Sequence, residues 1–147
     1  MKTIGHGIVI DASPSTVWSV LMDWPGFGAW NPFLTELQGE PCVGSRLSVR
    51  MKPPGGKPMR FRPKLTALEA ESRLQWLGRA GLPGIFDGRH TFSLTALPEG
   101  RTWFEQAERF TGLLTWFTGS LHKRTQHGFK QMNQALAKRC PHSASRT

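Results

Sequence analysis

Apolar and polar residues alternate along most of the first two thirds of the chain, with apolar side chains at every second position. This period of two is typical of strands that bury one face and expose the other. The pattern predicts strands over residues 3–10, 35–38, 45–51, 59–70, 74–78, 90–97 and 102–110. Proline and glycine clusters separate several of them, which favours antiparallel hairpins. Pro63 lacks a backbone N–H, so it has to lie at an edge or a bulge.

Two further segments change to a helical period. Ser13 suits an N-cap and Pro14 suits the first turn, so a helix is predicted from there to about Asp23, followed by a loop with one short helical turn. Apolar residues at helical spacing predict one long helix over residues 113–140. The fold class is therefore α+β. We expect residues 1–140 to form a single domain and the polar residues 141–147 to be a disordered tail.

Composition narrows the class of protein. The chain has 147 residues, six Trp, nine Phe and no Tyr, which favours a broad apolar interior. No stretch approaches the roughly 18 apolar residues of a membrane span, so we expect a cytoplasmic protein. Cys42 and Cys140 fit neither a disulfide framework nor a zinc spacing, and no metal or cofactor motif is evident. His122 and His127 are expected to be exposed to solvent.

The formal net charge of +9 is concentrated in one part of the chain. Alternation in the predicted strands 45–51 and 59–70 places basic side chains on the outer face. These residues are Arg46, Arg50, Arg60, Arg62 and Lys64. The patch is either a solvated face or a weak binding surface for an anionic membrane or an acidic partner. Nucleic acid is an unlikely partner because no nucleic-acid-binding motif accompanies the charge.

The predicted strand 102–110 carries two mixed faces. Phe104, Gln106, Glu108 and Phe110 share one face, and the residues between them share the other. Each face contains aromatic and charged members, so alternation alone leaves the buried face undecided.

The order of strand, helix, loop, strand series and long helix resembles the SRPBCC or START-like (Bet v 1-like) superfamily. The segments Trp30-Asn31-Pro32-Phe33 and Glu108-Arg109-Phe110-Thr111-Gly112 carry the resemblance, which is nearest to the polyketide cyclase/dehydrase-like branch. It implies a helix-grip fold, in which a curved antiparallel sheet of about seven strands wraps around the C-terminal helix. It also implies a cavity between sheet and helix, and it favours the face of Phe104 and Glu108 as the inner one.

A carboxylate at the wall of an apolar cavity has to be protonated, hydrated or paired. His90 is the candidate partner of Glu108 if their strands form a hairpin. The two residues then either act as an acid–base pair or stabilise the scaffold and orient a ligand. A separation above about 6 Å without a bridging water would exclude the acid–base pair.

The sequence predicts binding of a small hydrophobic or amphipathic ligand, lipid-like or polyketide-like. One alternative is a cofactor-independent cyclase or dehydratase that uses His90 and Glu108 as its acid–base pair. Another is an interaction protein that uses the basic face. The sequence is compatible with either a monomer or a dimer. Some of the proposed ligand contacts have a second interpretation. The tryptophans either line the cavity or pack the core, and Asn31 either faces the cavity mouth or caps the next turn. The glycine-rich segment 81–88 is either a gate over the cavity, with Phe86 as its apolar plug, or a plain hairpin connection. The candidate ligand-binding residues are Trp30, Asn31, Phe61, Trp76, Phe86, Phe92, Phe104, Gln106, Phe110, Phe117 and Leu121.

Overall fold

Eight antiparallel strands and two α-helices are formed by the residues that the computed structural model describes, which are 1–80, 84–113, 115 and 119–141. 3₁₀ turns lie at Trp24–Ala29 and Pro98–Gly100. The elements are β1 (Lys2–Ile10), α1 (Pro14–Met22), β2 (Leu34–Gln38), β3 (Ser48–Met51), β4 (Met59–Phe61), β5 (Lys64–Glu69), β6 (Arg73–Ala80), β7 (Phe86–Leu97), β8 (Arg101–Thr111) and α2 (Gly119–Arg139).

The strands form two sheets, and this differs from the single sheet of about seven strands that the sequence predicts. The larger sheet has the order β1-β8-β7-β6-β5, and the smaller has the order β2-β3-β4. The difference arises at Pro63, where the predicted strand 59–70 divides into β4 and β5 because proline cannot donate to the ladder. The sheets meet at this point through hydrogen bonds from Leu47 N to Pro63 O, 2.8 Å, and from Leu65 N to Ser45 O, 2.9 Å.

The first helix follows its sequence signals. The Ser13 hydroxyl accepts a hydrogen bond from the Thr16 N–H at 3.2 Å, which satisfies a donor of the first turn. Val17 and Leu21 are buried, and Val20 between them is half-buried. The predicted start and cap of α1 are confirmed.

The C-terminal helix begins later than predicted. The α-helix starts at Gly119, while Leu113 lies in a turn and is 71% exposed. Its buried face carries His122, Thr125, Phe129, Met132 and Leu136, spaced three and four residues apart, and it packs on β1 and β8. The sequence predicted that His122 and His127 would both be exposed. His122 is instead buried, because it lies on this stripe, whereas His127 lies off it and is exposed.

A glycine sets how closely α2 approaches the rest of the core. A Cβ at Gly128 would overlap the ring of Phe33, which is fully buried beside Phe129. The absence of a side chain at Gly128 thus allows α2 to lie directly against the Phe33 ring. This close contact fixes the height of the helix above the sheet.

The inner face of β8 is the one that the resemblance indicates. Phe104, Gln106 and Phe110 are buried, whereas Trp103 is 37% exposed. The Trp103 ring lies over Gly7 on the outer face, where a Cβ at Gly7 would collide with it. Trp103 lies on the outer face although it is apolar, because the absence of a side chain at Gly7 on the neighbouring strand allows its ring to pack flat against the sheet.

The predicted loop 81–88 is shorter than expected. β7 already begins at Phe86, so Phe86 and Gly88 belong to a strand rather than to a gate. Residues 81–83, like the end of the predicted tail at 142–147, lie outside the described residues. Within the described part of the chain, neither helix is long and apolar enough to cross a membrane.

Candidate functional site

A cavity of about 400 Å³ lies where the inner face of the large sheet, the small sheet and α2 meet. This volume is within the usual range for small-molecule sites. Its lining is mostly apolar and is contributed by Met51, Met59, Arg60, Phe61, Trp76, Gly78, Arg79, Phe86, Gly88, Glu108, Phe110, Leu121 and Thr125.

The lining residues differ in exposure, which shows where the cavity opens. Trp76, Phe110 and Thr125 are buried and form its floor. Met59, Arg60 and Arg79 are exposed and form its mouth. A molecule entering here would pass between the small sheet and the end of β6.

Two glycines account for part of the empty space. Gly78 and Gly88 lie directly opposite each other on β6 and β7, and both line the cavity. A Cβ at Gly78 would reach the Phe61 ring at 3.6 Å, and one at Gly88 would reach Glu108 Oε2 at 3.1 Å. Any larger side chain at either position would occupy the cavity.

An aromatic stack forms one side of the cavity. Phe86 and Phe110 are nearly parallel, with ring centroids 5.4 Å apart, and the His122 ring stacks on Phe110 at 4.4 Å. Burial lowers the pKa of His122, and the nearby Lys2 ammonium lowers this pKa further. The neutral imidazole therefore serves as a third flat ring behind the cavity wall.

Two polar groups face this apolar space from opposite sides. Thr125 on α2 is 2% exposed, and its hydroxyl has no hydrogen-bond partner among the described residues. Glu108 on β8 is largely buried, with its side chain 13% exposed. A buried hydroxyl without a partner is costly, so the pair gives a polar group of a ligand two places to bind.

The structure brings His90 and Glu108 together. They are register partners on β7 and β8, and His90 Nδ1 lies 3.3 Å from Glu108 Oε1. The distance meets the condition set for an acid–base pair, although only Glu108 lines the cavity. His90 lies behind it, where its ring packs against Trp76, Phe92 and Phe129.

A chain of polar groups continues from the other side of His90. His90 Nε2 lies 3.0 Å from Gln106 Oε1, and Gln106 Nε2 donates to Asn133 Oδ1 at 2.7 Å. Asn133 Nδ2 lies 2.9 Å from both His6 Nδ1 and the His6 carbonyl oxygen. Gln106 is thus engaged in the core rather than lining the cavity. Asn133 and His6 were missed because neither belongs to a recognisable motif.

The remaining candidate residues divide into cavity wall and core. Phe61, Trp76, Phe86, Phe110 and Leu121 line the cavity. Phe92 and Phe104 are fully buried in the core and do not line it. Phe117 lies outside the described residues.

The Trp30–Asn31 segment is structural. Trp30 packs edge-on against Phe27, with centroids 5.4 Å apart, away from the cavity lining. Asn31 is buried, and its Oδ1 accepts hydrogen bonds from the N–H groups of Phe33 at 3.0 Å and Leu34 at 2.9 Å. Its amide therefore holds the turn into β2, which agrees with the capping interpretation.

The sequence did not single out several lining residues. Met51 and Met59 have the correct alternation for an inner face, so their parity could have identified them. Gly78, Gly88 and Thr125 give no such signal, since their role depends on what packs opposite. Arg60 was placed on the outer patch, yet it also lines the mouth.

Several basic side chains of the predicted patch make local contacts. Arg60 forms an ion pair with Glu36, and this hydrogen bond and charge lower the pKa of Glu36. Arg50 donates to the Thr35 hydroxyl at 2.7 Å, and Arg46 donates to the Arg62 carbonyl at 3.2 Å. An acidic or membrane partner for this surface stays a prediction.

Comparison with known proteins agrees with this architecture. A family model described as polyketide cyclase/dehydrase and lipid transport matches residues 1–141. No curated protein matches the chain in sequence.

Solved structures with a similar fold cover nearly the whole chain. The Zhui aromatase/cyclase from a Streptomyces species has a TM-score of 0.75 and 14% identity over 93% of this chain and 92% of its own. A START superfamily protein from Mycobacterium smegmatis has a TM-score of 0.74 and 16% identity over 94% and 96%. Norcoclaurine synthase from Thalictrum flavum has a TM-score of 0.69 and 19% identity over 93% and 91%.

At these identities the similarity to solved structures concerns the fold alone. The helix-grip architecture that the sequence predicted is confirmed, with eight strands. The family match spans the described helices and strands. The chain belongs to the polyketide cyclase/dehydrase and lipid transport family.

Proposed function

We propose that this protein binds a small hydrophobic or amphipathic molecule between the large sheet and α2. The observation that carries the proposal is the cavity of about 400 Å³, with apolar walls and the polar groups of Glu108 and Thr125. Burial of apolar surface would supply most of the affinity, at about 25 cal/mol per Å² removed from water. The two polar groups would orient the ligand.

The shape of the wall indicates the ligand class. The parallel rings of Phe86 and Phe110 favour a flat or chain-like apolar body alongside them, which is compatible with a polyketide-like or lipid-like molecule. Glu108 and Thr125 favour a hydroxyl or carbonyl group at the buried end. The family description, which includes both lipid transport and polyketide cyclases, supports the same class.

Filling the cavity tests this proposal directly. Gly78→Val adds bulk inside the cavity, and its Cβ would meet Phe61 at an ordinary contact distance. The matched control is Ala107→Val, which adds two methyl groups on the outer face of the same sheet. Native mass spectrometry would reveal a co-purified molecule, and titration with anilinonaphthalene sulfonate and a fatty acid would measure affinity.

We expect wild type and Ala107→Val to bind at least one probe alike, with a loss of at least tenfold in Gly78→Val. Equal binding by all three proteins would show that the probe binds elsewhere. Absence of any co-purified molecule and of probe binding in wild type would overturn the proposal.

A second candidate function is acid–base catalysis without a cofactor. The 3.3 Å contact between His90 Nδ1 and Glu108 Oε1, at the edge of the cavity, favours it. Glu108 would be the catalytic residue, because it lines the cavity and can exchange a proton with carbon or oxygen next to a ligand carbonyl. His90 would act through Glu108, as its proton partner.

Glu108→Gln separates catalysis from binding, because glutamine keeps the size and polarity of the side chain but cannot exchange a proton at neutral pH. Incubation with a poly-β-ketone analogue, followed by mass spectrometry, would detect cyclisation or loss of water. Turnover by wild type that is lost in Glu108→Gln, with binding retained, supports catalysis. Equal turnover by the two proteins would refute the role of Glu108.

A further inference from the structure

The polar chain behind Glu108 ends at a backbone carbonyl, and this end point has a chemical consequence. The His6 carbonyl oxygen can only accept hydrogen bonds. The Asn133 side-chain atom 2.9 Å from it must therefore be the NH₂ group. The reverse orientation would place two carbonyl oxygens against each other.

The orientation of Asn133 determines the orientation of the next amide in this series of hydrogen bonds. With its NH₂ group on His6, Asn133 presents Oδ1 to Gln106, which must then donate through its own NH₂ group at 2.7 Å. Gln106 consequently presents Oε1 to His90 Nε2 at 3.0 Å. An amide oxygen accepts only, so Nε2 of His90 has to carry a proton.

We infer that Asn133 and Gln106 are positioning residues. The His6 carbonyl fixes the orientation of both amides, and the amides in turn require His90 Nε2 to be a hydrogen-bond donor. His90 is thereby held with a proton on Nε2, and its Nδ1 shares a single proton with Glu108. That proton sits either on Nδ1, giving imidazolium and carboxylate, or on Glu108, giving neutral imidazole and carboxylic acid. The inference concerns the site of the proposed function, although it holds whether or not a ligand is turned over.

The surroundings of the pair support a constrained ring. The His90 side chain is 4% exposed and is enclosed by Trp76 on β6, Phe92 on β7 and Phe129 on α2, all of which are apolar. Gln106 and Asn133 are fully buried.

The titratable groups near the pair are few among the described residues. His90 contacts Glu108 directly and reaches His6 through the amides. Arg60 and Arg79 line the same cavity as Glu108. Burial and the Lys130 ammonium lower the pKa of His6, which keeps its Nδ1 available as an acceptor for Asn133.

Two other placements of the protons on His90 would each leave one contact without a donor. If Nε2 keeps its proton, the lone pair of Nδ1 faces the Glu108 carboxylate. If the ring adopts the other tautomer, the lone pair of Nε2 faces Gln106 Oε1. Both alternatives set two acceptors against each other, whereas one proton on Nε2 and one between Nδ1 and Glu108 give each of these contacts a donor and an acceptor.

The tautomer can be measured on ligand-free protein by ¹⁵N NMR of the histidine rings, followed upward in pH until His90 is neutral. In wild type we expect neutral His90 to be protonated on Nε2 and unprotonated on Nδ1, which accepts the shared proton from Glu108. Gln106→Leu removes the acceptor, so its neutral ring should instead carry the proton on Nδ1, toward the Glu108 carboxylate.

Two further variants separate the backbone carbonyl from the rings. Asn133→Leu frees the Gln106 amide to turn, so the Nδ1-protonated form should appear. His6→Leu removes only the imidazole and keeps the carbonyl, so it should retain the wild-type tautomer. An amide ¹H–¹⁵N spectrum would verify the fold of each variant.

A wild-type neutral ring protonated on Nδ1, or a tautomer that changes in His6→Leu, would overturn the inference. The wild-type measurement is decisive even if a leucine variant fails to fold. Because no ligand is used, failure of this inference leaves the binding proposal intact. Absence of ligand binding likewise leaves the tautomer result intact.

Discussion

Substitution of Gly128 by alanine tests how the helix is seated on the core. In an ordinary helix interior this change stabilises the protein by about 1 kcal/mol, because glycine loses more backbone entropy on folding. Here the added Cβ overlaps the ring of Phe33, which is fully buried and packs edge-on against Phe129 at 5.7 Å. Phe33 has no free space to move into, so either the ring or α2 has to shift.

Overpacking of this kind costs about 1–3 kcal/mol, and the overlap of two ring carbons places this site toward the upper end. After subtraction of the helix-propensity gain, we expect a net destabilisation of about 1–2 kcal/mol. For a chain of this size that lowers the melting temperature by about 2–8 °C. Thermal and urea unfolding, followed by circular dichroism, would measure both quantities.

Gly119→Ala is the matched control. It is exposed at the start of the same helix, and a Cβ there would meet no atom within 4 Å. It should leave stability unchanged or raise it by up to about 1 kcal/mol. Phe33→Leu, combined with Gly128→Ala, should recover part of the loss through a favourable coupling. If Gly128→Ala is as stable as Gly119→Ala, the steric account of this contact is wrong.

Other predictions follow from buried polar and ionisable groups. Because burial lowers the pKa of His122 below its ordinary 6.5, the unfolded chain binds more protons there, so wild-type stability should fall as pH drops below about 6.5. His122→Phe should flatten this dependence in urea unfolding at several pH values, and an unchanged slope would contradict it. Burial raises the pKa of the Cys140 thiol to about 11, whereas Cys42 is exposed, so iodoacetamide at mildly alkaline pH should label Cys42 first. Mass spectrometry of the digested protein would check this, and preferential labelling of Cys140 would refute it. Asn31→Ala removes the acceptor of two backbone N–H groups and should cost about 1–2 kcal/mol in denaturant unfolding. A loss within experimental error would show that the turn does not depend on these bonds.

The sequence predicted those features that local chemistry decides. Ser13 and Pro14 marked the start of α1, and alternation located most strands. The pairing of His90 with Glu108 followed from placing adjacent strands in a hairpin. In each case neighbours in sequence, or across one turn, determine the geometry.

The features it missed depend on contacts between distant segments. The division at Pro63 depends on the hydrogen bonds of Leu47 with Pro63 and of Ser45 with Leu65. The burial of His122 depends on which face of α2 meets β8. The cavity depends on Gly78 and Gly88 lying opposite each other, which strand register alone determines. The contact between Asn133 and Gln106 depends on how α2 packs against β8. Neither hydrophobic periodicity nor a sequence motif predicts contacts between such distant segments.

The division at Pro63 also bears on how a ligand could reach the cavity. Its walls belong to two separately hydrogen-bonded sheets, since Met51, Met59 and Phe61 lie on the small one and Trp76 and Phe110 on the large one. At Pro63 the two sheets are joined by the hydrogen bonds from Leu47 N to Pro63 O and from Leu65 N to Ser45 O, so widening of the mouth there requires these bonds to open while the pairing within each sheet is kept. If a ligand enters by this route, amide hydrogen exchange should be faster at the junction of the two sheets than in the strands on either side.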